Sequence, residues 1–376
     1  MNPTERHLSA RLEERASAGD LRRLPGARQG IDLSSNDYLG IALHGLPSAF
    51  APATGSTGST GSRLISGNSE LTEQTETFIA AFHQAEAALI FNSGYDANTG
   101  LFSAIAGKDT VFLYDELCHA SMIDGIRQSL CRHKYRFAHN DTMQLEALLQ
   151  KHSSSAGQVI VAVESVYSMD GDMAPLTEMA ALCERYDAQL VVDEAHATGV
   201  TGRHGEGLVC ALGLQERVFA RVHTFGKALG CHGAAVVGSA ILRQYLINFA
   251  RSFIYTTALP PHAIAVINAV YRYMASDGFS NSALHDNIAY FRQCMPPGSI
   301  QELKDSTSAI QALVTGGNER TRQLATSLQA AGLQVHPILQ PTVPLGMERL
   351  RICLHSFNTR REIDMLTEEL QQWANQ

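Results

Sequence analysis

Paired cysteines, long apolar runs and an excess of positive charge are all missing from this sequence. The seven cysteines, at 118, 131, 183, 210, 231, 294 and 353, are odd in number and form no Cys-x-x-Cys. That argues against a disulfide scaffold or a cysteine-rich zinc site and for a reducing compartment, so a cytoplasmic protein without a metal is expected. Cys231-His232 has no metal-ligand spacing around it. No segment approaches the ~18 consecutive apolar residues of a membrane helix, so no membrane association is expected. Lys and Arg number 29 against 37 Asp and Glu, a formal net charge of -8. Bulk electrostatics therefore give a nucleic-acid role no support.

A phosphate loop is absent too. Asp193-Glu194-Ala195-His196 spells an NTPase box, but no G-x-x-x-x-G-K-[ST] accompanies it. The two Gly-Lys pairs, Gly107-Lys108 and Gly226-Lys227, are followed by Asp109 and Ala228. An acid-poor N-terminal transit segment is not expected either. Arg6, Arg11, Arg15, Arg22, Arg23 and Arg28 are interspersed with Glu5, Glu13, Glu14 and Asp20. The pattern predicts a surface helix over 4–18, with Leu8 and Leu12 inward.

What is present is a globular composition, 45% apolar and 18% charged over 376 residues, enough for two or three domains. Short runs rich in Val, Ile, Phe or Tyr occur at 88–91, 110–114, 134–137, 159–163, 189–192, 218–224 and 234–238. They are too short for core helices and predict strands. Helical stretches separate several of them, including 176–186 with Leu176, Met179, Ala180, Cys183 and Tyr186 on one face. The expectation is an α/β domain with a mostly parallel seven-stranded sheet covered by helices. After Pro260-Pro261 the pattern shifts to helices at 262–276 and 319–331 and apolar runs at 309–314, 334–339 and 350–354. Gly332 stands where a helix-ending glycine belongs. The last helix places Ile363, Leu366, Leu370 and Trp373 inward. This predicts an N-terminal arm (1–43), a large domain (44–260) and a smaller α+β C-terminal domain (261–376). The Gly-Ser-Thr repeat at 55–62 reads by composition as a flexible linker, but Arg63-Leu64-Ile65 follows it without a break.

Ligands of α/β sheets sit at the carboxyl ends of the strands. The polar residues there are Asn92-Ser93-Gly94, Asp115 to His119, Glu164 to Ser168, Asp193 to His196 and Thr224 to Lys227. Lys227 follows a strand among Phe225, Ala228 and Leu229, a setting that suits an amine forming a covalent link to an aldehyde. Asp193 ends the run Leu190-Val191-Val192, where a carboxylate needs a cation. A protonated pyridine would serve, and so would a Lys or Arg. Asn92-Ser93-Gly94-Tyr95 opens a helix whose first amides suit a phosphate.

Seven ordered motifs carry a resemblance that runs from about residue 31 to 360. They are Ser35-Asn36-Asp37-Tyr38-Leu39-Gly40, Gly61-Ser62-Arg63-Leu64-Ile65-Ser66-Gly67, Asn92-Ser93-Gly94-Tyr95, the segment Glu164 to Asp172, Val192 to Gly199, Thr224-Phe225-Gly226-Lys227-Ala228 and Phe253-Ile254-Tyr255-Thr256-Thr257. In these the chain resembles the α-oxoamine synthases, transferases of fold type I that depend on pyridoxal 5'-phosphate. The wording at 62–68 and 168–176 resembles the biotin-pathway branch, which condenses L-alanine with a pimeloyl thioester. Relatives using glycine, serine or another acyl thioester are the alternative.

The resemblance implies a role for each matching position. Lys227 would hold the cofactor and act as base. Asp193 would pair with the pyridine nitrogen. His119 would stack on one ring face and Ala195 on the other. His196 and Ser168 would bond the phenolate side, and Gly94, Tyr95 and Thr224 the phosphate. Thr256 or Thr257 would reach the phosphate of a neighbouring subunit, which implies a homodimer. Asn36 and Arg351 would hold the substrate carboxylate, with Arg349 a close neighbour of Arg351. The acyl group would arrive on coenzyme A or an acyl carrier protein. Two departures lie near the expected acyl entrance: segment 41–54 is roughly a helix shorter than is usual, and Thr60 stands where relatives commonly have Gly. A cofactor-less partner subunit of this fold would lack the lysine, and Lys227 is present.

Overall fold

Consecutive branched side chains build the centre of the large sheet. The computed structural model describes residues 1–22, 24, 30–51, 57–154 and 156–375, so Arg23, Arg28 and the repeat's Gly55-Ser56 lie outside the described residues. In chain order the strands are β1 (Ile31–Asp32), β2 (Ala87–Phe91), β3 (Thr110–Asp115), β4 (His133–Phe137), β5 (Gln158–Glu164), β6 (Ala188–Asp193), β7 (Ala220–Thr224), β8 (Ala234–Gly238), β9 (Ile310–Val314), β10 (Leu333–Gln334), β11 (His336–Ile338) and β12 (Arg349–Cys353).

Strands β2 to β8 form one seven-stranded sheet in the order β2-β8-β7-β6-β5-β3-β4. Pairings among β3, β4, β5, β6 and β7 are parallel, whereas β8 runs antiparallel to both β7 and β2. The carboxyl ends of the other six strands therefore share one edge. The two-residue period of a strand divides the side chains between two cores. Val159, Val161 and Val163 join Leu190, Val192, Leu145, Leu149, Met179 and Cys183 on one face. Ile160, Ala162 and Val191 join Leu101, Phe102, Met122 and Leu246 on the other. Each fully buried Val, Leu or Ile contributes roughly 1.5–3 kcal/mol. Burial on both faces explains why these runs are almost wholly apolar.

The chain divides into two compact units, residues 36–168 with 172–284, and residues 1–35 with 169–171 and 285–376. The larger unit thus extends past the change of pattern at Pro260-Pro261. Its helix Pro261–Met274 buries Ile264, Ile267, Val270 and Tyr271. It is tied to helix Glu70–Phe82 by Asn268 donating to Thr75 Oγ1 at 3.1 Å and by Arg272 lying over the Phe78 ring. In the smaller unit β11, β12 and β9 form an antiparallel sheet, and β1 pairs in parallel with β10, so 30–35 belongs to this unit.

Three local expectations differ from the structure. Helix Pro3–Ser17 forms, but it has no buried residue, and Leu8 and Leu12 are exposed. It is secured instead by a capping box between Asn2 and Glu5, with Pro in its first turn. Trp373 is half-buried, under the Arg320 guanidinium 4.6 Å from its ring centre. The described part of the glycine-rich segment is docked rather than a linker: Ser59 donates to Leu259 O at 2.8 Å and Ala258 N–H to Gly61 O at 3.0 Å. No helix among the described residues is long and apolar enough to cross a membrane, and none of their His, Cys, Asp and Glu clusters could hold a metal.

Candidate active site

The shared carboxyl edge of the large sheet opens into a cavity of about 260 Å³. Asn36, Gly94, Tyr95, His119, Asp193, Ala195, Thr224 and Lys227 border it. Sequence reasoning gave each of these a role; it named Ser93, Glu164 and Gly226 only as strand-end residues, and it gave no role to Asn98, Ser121, His232 and Gly233, which border the cavity as well.

Asp193 ends β6 on the same strand face as Val191, which turns it toward helix Gly94–Ala104. It is buried, and both its oxygens are held: Asn98 Nδ2 donates to Oδ2 at 2.7 Å and Ala195 N–H to Oδ1 at 2.9 Å. Register places Glu164 of β5 beside Asp193. Burial, reinforced by the Asp193 charge, pushes the Glu164 carboxyl up to about 8, so it keeps its proton at neutral pH. Its Oε2 accepts from Ser168 N–H at 3.2 Å, while its Oε1 is buried without a hydrogen-bond partner.

Lys227 follows β7 in a loop closed by Gly230 N–H to Lys227 O and Cys231 N–H to Phe225 O. Its Nζ lies 2.9 Å from His196 Nε2, and Tyr38 Oη lies 2.8 Å from His196 Nδ1. His119 precedes helix Ala120–Gln128, and its Nδ1 accepts from Ser121 N–H at 3.2 Å. Ser121 Oγ in turn accepts from Asn98 Nδ2 at 2.9 Å, so one amide ties His119's support to Asp193. Desolvation, with the Lys227 charge opposing that of Asp193, lowers the His119 pKa and favours the neutral ring.

Also at the cavity, Ser93 caps helix Gly94–Ala104 by accepting from Asp96 N–H, which leaves Gly94 and Tyr95 at the first two helical positions. Amides there have no partner within a helix and favour an anion. A Cβ at residue 94 would stand 2.5 Å from Thr224 Cγ2, so glycine keeps this corner open. An amine, a buried and doubly supported carboxylate, a neutral ring and an amide cradle surround one cavity. That donor set fits pyridoxal phosphate.

Other expected residues lie elsewhere. Ser168, Thr256 and Thr257 do not border the cavity. Asn92 Nδ2 donates to Thr256 Oγ1 and to Thr257 O, both at 2.9 Å, fixing that turn to the end of β2. Arg351 belongs to the smaller unit, on β12, where it donates to Cys353 Sγ at 2.9 Å. Arg349 on the same strand is buried and paired with Asp170.

Comparison with known proteins places the chain in a family. The aminotransferase class I and II family matches residues 28–370. An 8-amino-7-oxononanoate synthase of Emericella nidulans is 40% identical over 98% of this chain and 94% of its own. One from Geotalea daltonii is 40% identical over 90% and 86%. Among solved structures, the 8-amino-7-oxononanoate synthase of Francisella tularensis has a TM-score of 0.76 at 27% identity, covering 92% of this chain and 97% of its own. A serine palmitoyltransferase of S. paucimobilis carrying a PLP–myriocin aldimine has a TM-score of 0.87 at 27% identity, covering 98% and 97%. The chain thus belongs to the aminotransferase class I and II family of pyridoxal-phosphate enzymes and, within it, to the 8-amino-7-oxononanoate synthases.

Proposed function

We propose that this enzyme condenses L-alanine with a pimeloyl thioester, releasing carbon dioxide and the thiol and forming 8-amino-7-oxononanoate. The observation that carries the reading is the single cavity in which Lys227 Nζ, buried Asp193 and the Gly94-Tyr95 amides converge. The choice of alanine and the pimeloyl chain rests on the 40% identity to synthases of that name and on the motif wording at 62–68 and 168–176.

Pyridoxal phosphate, when bound, supplies an aldehyde to capture the amino acid and a ring to accept its electrons. Lys227 would anchor it and then carry the proton to and from the amino-acid Cα. Asp193, fixed by Asn98 and the Ala195 amide, would keep the proton on the pyridine nitrogen. His119 would stack on one ring face and Ala195 would leave room at the other. Gly94 and Tyr95, with Thr224, would hold the phosphate, and His196 with Ser168 the phenolate side. Asn36, at the cavity wall, would orient the amino-acid carboxylate, a positioning effect. Arg351 is proposed as a carboxylate-binding residue in preference to Arg349, whose guanidinium is paired with Asp170. A homodimer in which Thr256 or Thr257 serves the partner's phosphate, and delivery of the acyl chain by coenzyme A or a carrier protein, belong to the same proposal.

Serine or glycine as the amino acid is the second reading, favoured by likeness to serine palmitoyltransferases, one of which, from Sphingomonas wittichii, has a TM-score of 0.87 at 28% identity over 100% of this chain and 98% of its own. Product masses with alanine, glycine and serine against pimeloyl, acetyl and palmitoyl thioesters separate the two. Fastest turnover and carbon dioxide release with alanine and the pimeloyl thioester are expected. Preference for serine with a long acyl chain would overturn the assignment, and product formation without carbon dioxide would indicate a transaminase.

A further inference from the structure

Two hydrogen bonds from Lys227 stands a hydroxyl to which neither the motifs nor the proposed reaction gives a role. Tyr38 is 1% exposed, and its Oη sits 2.8 Å from His196 Nδ1 and 3.0 Å from Asn36 Oδ1. His196 is itself buried, with Nε2 2.9 Å from Lys227 Nζ. A buried phenol thus joins a cavity-wall amide to the imidazole that touches the reactive amine.

The hydrogen-bond directions along this chain are constrained. Toward an ammonium Nζ, which only donates, Nε2 accepts and the imidazole proton sits on Nδ1. Nδ1–H then donates to Tyr38 Oη, and the Tyr38 hydroxyl donates onward to Asn36 Oδ1. When Nζ is taken into a covalent link with an aldehyde, at most one of its N–H bonds remains. Nε2 is then best served as a donor, and Nδ1, stripped of its proton, needs a donor in turn. A hydroxyl can reverse its role by rotating its proton, whereas a backbone amide or a carbonyl cannot.

We propose that Tyr38 is a positioning residue that allows the His196 imidazole to exchange tautomers as Lys227 passes from free ammonium to covalent anchor. The proposal rests on the reading of Lys227 as the pyridoxal-phosphate anchor. A phenylalanine at 38 keeps the ring but removes this reversible hydrogen bond from Nδ1 in both tautomers, which weakens the states that use it.

The test is nitrogen NMR of ¹⁵N-histidine-labelled protein, before and after addition of pyridoxal phosphate, with cofactor affinity titrated by absorbance. In the wild type, His196 should carry its proton on Nδ1 without cofactor and on Nε2 with it. Tyr38→Phe should abolish that exchange and weaken cofactor binding about tenfold or more. Replacing Tyr38 with 3,5-difluorotyrosine keeps the shape and serves if Tyr38→Phe does not fold. A more acidic phenol accepts less well and donates better, so the cofactor-free protein should shift toward the Nε2–H tautomer. Unchanged tautomer populations with either replacement, together with unchanged cofactor affinity, would overturn the proposal. Failure of the underlying reading looks different: the wild type would then show no cofactor absorbance that Lys227→Ala abolishes.

Discussion

Asn98 meets two demands with one amide group. Its Nδ2 donates to Asp193 Oδ2 at 2.7 Å and to Ser121 Oγ at 2.9 Å, while Oδ1 is buried without a partner. Asn98→Ala would withdraw a donor from a buried carboxylate, a loss of roughly 1–3 kcal/mol. We expect cofactor affinity to fall about 10- to 100-fold by that conversion, read by absorbance titration. Asn98→Asp should be worse, since it sets a second carboxylate against Asp193. An aspartate variant that binds cofactor as well as the wild type would show that the Asn98–Asp193 bond does not support the site. Asp193 and Lys227 were legible because a charged residue after an apolar strand needs an explanation. Asn98 was not, because an asparagine inside a helical stretch usually faces solvent. The available signal was its position four residues after Gly94, which puts it on the face of the helix that rises to the cavity. Glu164 was visible as a strand-end acid, but its raised pKa depends on β5–β6 register, which pattern alone does not supply.

Strands and helix ends account for most of the site's order. The seven runs of branched and aromatic residues all became strands of one sheet, since short apolar segments between helices have few other ways to bury both faces. Periodicity carries no direction, so the reversal of β8 was hidden; it brings Gly233, just before that strand, to the cavity. The place of helix Pro261–Met274 was hidden as well, because a change of pattern marks where secondary structure alters, not where a helix docks. The start of helix Gly94–Ala104 yields a sharp test. Gly94→Ala favours the helix, offsetting crowding in the cofactor-free protein, yet its methyl would press on Thr224 Cγ2 at 2.5 Å, in the corner expected to receive the phosphate. Affinity for pyridoxal phosphate should drop at least tenfold, with little change in the thermal midpoint of the cofactor-free protein. A matching loss in Thr224→Val that does not add to that of Gly94→Ala would place both in one phosphate corner. Full additivity would separate them.

Stability of the whole chain should depend on pH through a cluster outside the cavity. His139 bridges two aspartates: Nδ1–H donates to Asp115 at 3.1 Å and Nε2–H to Asp172 at 2.6 Å, with the ring edge-on to Tyr167. Burial alone would lower the histidine pKa, but both hydrogen bonds and both negative charges outweigh it and raise it to about 9. A histidine whose pKa is raised on folding stabilises the native state fully below its unfolded value near 6.5. That contribution declines as pH climbs through about 9. Buried Glu194, raised to about 7 chiefly by desolvation, acts in the same direction: the folded state holds its proton longer than the unfolded chain does. His83 opposes them on the acid side. Burial pushes it down to about 3, so its neutrality costs stability as pH falls below 6.5. The denaturation midpoint of the cofactor-free protein should therefore peak at mildly acidic to neutral pH and fall between about pH 7 and 9. His139→Gln keeps some hydrogen bonding but no charge. It should cost on the order of 2 kcal/mol at pH 6 and much less at pH 9.5, flattening the alkaline limb of the curve. Urea midpoints of the wild type and this variant across that range decide the matter, and parallel curves would remove His139 as the source of the alkaline loss.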